Sequence, residues 1–124
     1  MKKETRRSQR VALLVREELS RLVLTEAHDP ELRRVTIIDV EMPADLKSAR
    51  VFYSCLGQQA DQQRAVAALD RASGYLRREV TRRCGLRYAP ELFFTFDETL
   101  ERGARIEELL AQVRVTPPPE DGER

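Results

Sequence analysis

The 124-residue chain has no Trp, one His, two Cys and five Gly, and each scarcity excludes a class of chemistry. One His cannot make a two-histidine metal site, and a Ser-His-Asp or Cys-His arrangement would have to be built on His28, two residues before Pro30. A nuclease or hydrolase acting through His28 and Asp29 is therefore disfavoured, and the expectation is a non-enzyme with no catalytic residue. Cys55 and Cys84 form no C-x-x-C pair, so neither zinc nor dithiol redox chemistry is indicated, and no metal or cofactor is expected. The glycines at 57, 74, 85, 103 and 122 make no G-x-G-x-x-G and no P-loop. Nothing approaches the roughly 18–20 apolar residues of a membrane span. The basic start, Met1 to Arg10, leads into a stretch containing Arg16, Glu17 and Glu18, where a secretory signal needs uninterrupted apolar residues. The expected location is the cytoplasm.

Net charge is also scarce: 22 Lys+Arg stand against 21 Asp+Glu, a formal +1, although charged residues make up 35% of the chain. As an average this argues against a nucleic-acid binder, but the charges are sorted by position. Lys2, Lys3, Arg6, Arg7 and Arg10 face only Glu4 in the first ten residues, and Arg71, Arg77, Arg78, Arg82, Arg83 and Arg87 face only Glu79 between 71 and 88. From Glu91 onward acids outweigh bases. Such asymmetry creates a local basic field on a nearly neutral molecule.

Apolar periodicity gives the elements. Val11, Leu14, Val15, Leu19 and Leu22 form the stripe of an amphipathic helix over about 6–27, ended by His28-Asp29-Pro30 because a residue before proline leaves the α region. Residues 35–42 are β-branched but alternate imperfectly. Residues 49–55 put Ala49, Val51, Tyr53 and Cys55 on one side, and the two segments predict an antiparallel hairpin. A second helix is predicted over about 59–83, with Val66, Leu69, Leu76 and Val80 inward and Gly85 as its C-terminal cap. Gly74 lies inside it, and a mid-helix glycine costs roughly 1 kcal/mol, so a kink or a close backbone approach is expected at Ala72-Ser73-Gly74. Residues 91–97 form a third strand with Leu92, Phe94 and Phe96 on the core side. A last helix follows over about 98–113, with Ile106, Leu109, Leu110 and Val113 together. The proline-rich acidic residues 114–124 are expected to be disordered. The order predicts an α+β fold with helices on one face of a three-stranded sheet.

At about 100° per residue, Arg64, Arg71, Arg78 and Arg82 fall within roughly 40° of one another, about 140° around the helix from the core face. Arginines at this pitch suit successive phosphates. A solvated face would carry interspersed acids, and only Asp70 and Glu79 occur over 64–88. The expected RNA-binding residues are this stripe with Arg77, Arg83 and Arg87, and the arm Lys2, Lys3, Arg6, Arg7 and Arg10. Tyr75 and Tyr88 are candidates for stacking on an unpaired base; Phe52, Phe93, Phe94 and Phe96 are read as core.

Five segments in register, residues 28–37, 45–54, 72–79, 86–94 and 103–110, resemble the bacterial ribosome-binding factor A family. They include His28-Asp29-Pro30-Glu31-Leu32, Asp45-Leu46-Lys47-Ser48-Ala49, Ala72-Ser73-Gly74-Tyr75-Leu76 and Ala104-Arg105-Ile106. The resemblance implies a type II KH-like domain over about 5–113, flanked by the basic arm 1–10 and the tail 114–124. It implies that Ala72-Ser73-Gly74 replaces the usual Gly-x-x-Gly loop as a helix kink. It further implies a monomer that binds the free small (30S) subunit and its 16S rRNA and assists late maturation, including 5′-end processing, without being the nuclease. The alternative is a protein-interaction module using the acidic C-terminal helix.

Overall fold

A computed structural model of the chain describes residues 4–26 and 29–97. Lys2, Lys3, His28, the expected last helix and the 114–124 tail lie outside the described residues. Helix α1 (Arg6–Arg21) is opened by a capping box. Thr5 Oγ1 accepts the Ser8 N–H at 3.1 Å while the Ser8 hydroxyl oxygen accepts the Thr5 N–H at 2.8 Å. The helix buries Ser8, Ala12, Val15 and Leu19, and continues into a π-helical turn, Leu22–Glu26, that buries Leu22 and Val23. Leu14, expected inside, is 51% exposed. Small residues at 8 and 12 let α1 sit close on the sheet, which turns the buried arc away from Leu14. A short 3-10 helix (Pro30–Arg34) follows, with Asp29 as N-cap and Leu32 fully buried.

Strands β1 (Thr36–Glu41) and β2 (Ser48–Ser54) form the expected antiparallel hairpin. The register shifts between Ile37 and Asp39, a β-bulge that carries Ile38 as the extra residue. It accounts for the imperfect alternation: Val35 and Ile37 are inward before the bulge, Val40 and Met42 after it. Strand β3 (Glu91–Phe96) pairs parallel to β2, from Ser48 opposite Glu91 to Tyr53 opposite Phe96, in the order β1-β2-β3. A parallel pair needs a long crossover. Helix α2 (Gln59–Arg83) supplies it.

Ala49, Val51 and Tyr53 lie in the core, where Leu92, Phe94 and Phe96 pack against them, with Tyr53 and Phe96 edge to face at 5.7 Å between ring centroids. Helix α1 packs on β1 and α2 on β3. The buried arc of α2 is Ala65, Ala68, Leu69, Leu76 and Val80; Val66, expected inside, is 51% exposed. The alanines again set the closest approach. Gly85, at φ +64°, ends the helix as expected: its N–H donates to the Arg82 carbonyl and that of Leu86 to the Thr81 carbonyl, a Schellman motif.

Helix α2 is unbroken through Ala72, Ser73 and Gly74, so the expected kink does not divide it in two. The Ser73 hydroxyl donates to the Asp70 carbonyl at 3.0 Å, a back-bond of the kind that curves a helix without ending it. No close backbone neighbour explains the glycine either: a Cβ on Gly74 would meet only Arg78 Nη1, at 3.6 Å. Gly74→Ala is therefore expected to stabilise the fold by about 0.5–1 kcal/mol. A lower melting temperature in that variant would mean that α2 needs the backbone freedom of glycine.

Candidate nucleic-acid interface

Helix α2 carries Arg64, Arg71, Arg78 and Arg82 as exposed side chains over about 27 Å of its length, away from its buried arc. Most of these arginines meet carboxylates, several of them from beyond the stretch 64–88. Arg64 pairs with Asp61, one turn earlier, and approaches Glu31 of the 3-10 helix at 3.6 Å. Arg71 donates through Nη2 and Nε to one oxygen of Asp29, at 2.7 and 3.3 Å. Arg82 donates to Glu79 at 2.6 Å. Arg78 makes no hydrogen bond or ion pair among the described residues, which leaves it the most available cation of the stripe.

The neighbouring arginines divide by role. Arg77 donates to the carbonyls of Pro90 and Ala89, each at 3.0 Å, and so clasps the segment entering β3. Arg83 is only 21% exposed and is shared between Glu79 at 3.2 Å and Glu18 of α1 at 3.6 Å. These two were expected at the RNA; in the structure each also makes intramolecular contacts, Arg77 to carbonyls and Arg83 to carboxylates, that use part of its five-donor fork. Arg77→Ala is expected to cost about 1 kcal/mol of stability, read by thermal denaturation, because two hydrogen bonds to carbonyls disappear at a partly wet site. Arg87 lies over the Tyr88 ring at 5.9 Å from its centroid.

Arg6, Arg7 and Arg10 are exposed at the start of α1. The Arg83–Glu18 contact joins α2 to the other end of that helix, about 12–18 Å along its axis from the arm. The arm and the end of the stripe are thus separate basic regions. Tyr75 is partly buried against the core, whereas Tyr88 is 63% exposed. Phe93, expected inside, is 52% exposed because it points from β3 to the side opposite Leu92 and Phe94.

The hydrogen bond from Arg71, then that from the Glu31 N–H, hold the Asp29 carboxyl below the usual carboxylate range. The Arg82 hydrogen bond, followed by that of Arg83, does the same for Glu79. A depressed carboxylate favours the folded state above its unfolded pKa and loses that effect as pH falls through its folded one. Both carboxylates therefore stay ionised at neutral pH, and the pairs lose their negative partner only in acid. Burial, and secondarily Glu18, pushes the Cys84 thiol up, away from the thiolate a nucleophile needs. No group of three or more His, Cys, Asp and Glu that could hold a metal occurs among the described residues, and none of their helices is long and apolar enough to cross a membrane.

The family model described as Ribosome-binding factor A matches residues 7–110. A ribosome-binding factor A from Aromatoleum aromaticum is 42% identical over 113 residues, covering 91% of this chain and 89% of its own. One from Halothermothrix orenii is 37% identical over 108 residues, covering 87% and 88%. The crystal structure of ribosome-binding factor A from Thermus thermophilus superposes with a TM-score of 0.62 at 23% identity, covering 71% of this chain and 93% of that one. A Thermus thermophilus ribosome binding factor A homology model fitted into a cryo-EM map of its 30S complex gives 0.50 at 26% identity, covering 65% and 89%. The order of elements, the mixed sheet and these neighbours make the fold α+β and KH-like. By the match over most of its length, the chain belongs to the ribosome-binding factor A family.

Proposed function

We propose that this protein is a non-catalytic assembly factor of the cytoplasm. It binds the free small (30S) ribosomal subunit and its 16S rRNA as a monomer and assists late maturation, including 5′-end processing. The observation that carries the reading is the exposed arginine face of α2, with Arg78 unpaired among the described residues between Arg71 and Arg82, on a chain of this family. The related Thermus thermophilus protein fitted in its 30S complex lends it support.

Arg64, Arg71, Arg78 and Arg82 grip phosphates; Arg6, Arg7 and Arg10 add a second basic region away from the end of the stripe, and Lys2 and Lys3, which precede them in sequence, contribute further positive charge. Arg87 and Tyr88 add an exposed cation and ring beside the end of α2. Phosphate contacts orient the protein without reading sequence, and the shape of the folded RNA supplies selectivity. The factor favours one RNA conformation by its higher affinity for it, and dissociates when the mature conformation no longer fits. The test is cosedimentation with free small subunits and with assembled ribosomes across a salt series. The expected result is binding to free subunits only, falling steeply as salt rises. Equal binding to both, or binding indifferent to salt, would defeat the proposal.

A further inference from the structure

Two of the stripe's arginines are met by carboxylates from outside α2. Asp29 is 42 residues from Arg71 in sequence, yet it is the best placed of these acids. One carboxylate oxygen accepts the Glu31 N–H at 3.0 Å as the N-cap of the 3-10 helix, and the other accepts both Arg71 donors. The cap fixes the side chain, so the charge is aimed and does not wander. Glu31 follows on the same short helix, 2.9 Å from Arg34 Nε and 3.6 Å from Arg64 Nε. Leu32, fully buried, anchors that helix to the core.

A carboxylate oxygen on a guanidinium occupies the place a phosphate oxygen would take. The Arg71 side chain is 59% exposed, so an incoming phosphate reaches it without rearranging the fold, and exposed ion pairs are weak enough to exchange. We infer that Asp29 is a specificity-determining residue: it occupies Arg71 in the free protein and admits a phosphate there only when the surrounding RNA supplies enough further contacts to displace it. This rests on the RNA-binding reading above. An unstructured RNA touches few points at once and leaves Asp29 in place; a folded surface that meets Arg78 and Arg82 as well displaces it. The near balance of positive and negative charge is thus put to use at the interface, where it suppresses adhesion to any polyanion.

The test uses the full chain with Asp29→Asn, which keeps the capping oxygen and removes the charge. Affinity for an unstructured homopolymer, polyuridylate, is expected to rise about fivefold at moderate salt, and affinity for free small subunits less, so that the ratio between them falls. In an Arg71→Ala background the Asp29→Asn change is expected to have no effect, because the carboxylate acts through that guanidinium. An unchanged or higher ratio in Asp29→Asn, or an undiminished effect in the Arg71→Ala background, overturns the inference even where arginine substitutions at 78 and 82 weaken subunit binding. If those arginine substitutions leave subunit binding intact, the RNA-binding reading itself falls, and this inference with it.

Discussion

Replacing Arg78 and Arg82 with Glu is expected to weaken binding to free small subunits at least about tenfold and to lower the slope of log affinity against log salt by about two. Each phosphate that is no longer neutralised removes nearly one unit of slope. Arg78 is the more telling of the two, because it has no protein partner among the described residues, so its substitution leaves the described ion pairs as they are. Arg82 is held by Glu79 at 2.6 Å. A Glu at 82 sets a second carboxylate beside Glu79 in the last turn of α2, where the helix dipole already disfavours negative charge. Some loss of stability is therefore expected from the reversal alone. Arg78→Gln with Arg82→Gln is the matching control: it keeps the fold and should lower the salt slope by a similar amount. Subunit binding unchanged in both double variants would remove α2 from the interface.

How far the sequence foretells this arrangement depends on the range of the interactions involved. The hairpin, the third strand, the limits of α2 and the Gly85 cap follow from local rules: alternation, β-branching, and a left-handed residue after the last turn. The inward faces depart from expectation at Leu14 and Val66 for one reason, which is that hydrophobic size points to large residues while close packing selects small ones. Ser8, Ala12, Ala65 and Ala68 are fully or nearly fully buried and fix where the helices touch the sheet. The parallel pairing of β2 with β3 and the bulge at Ile38 need tertiary information. At the candidate interface, the arginine stripe is legible from helical pitch, but its neutralisation is only partly so. Asp61 stands three residues before Arg64, just outside the stretch 64–88, whereas Asp29 and Glu31 reach the stripe only through the fold. Arg77 resembles its neighbours in sequence, and nothing local marks it as the residue that holds Ala89 and Pro90.

Leu32→Ala is expected to cost about 3 kcal/mol and to lower the melting temperature by about 10 °C or more, because a fully buried leucine is replaced in a site that its neighbours can only partly refill. Leu32 is the one fully buried side chain of the 3-10 helix, and Asp29 and Glu31, both half-buried, sit one turn or less away. The Val35 N–H donates to the Leu32 carbonyl at 3.0 Å, so its amide exchange reports whether this helix stays closed. Faster exchange at Val35 is expected in the variant, over and above the global loss of stability. The loosened helix should also free Arg71 and Arg64 and raise polyuridylate affinity in the direction expected of Asp29→Asn. A loss below about 1 kcal/mol would show that the core does not depend on Leu32. Full destabilisation with unchanged Val35 exchange relative to the core would show that the 3-10 helix unfolds only with the whole domain.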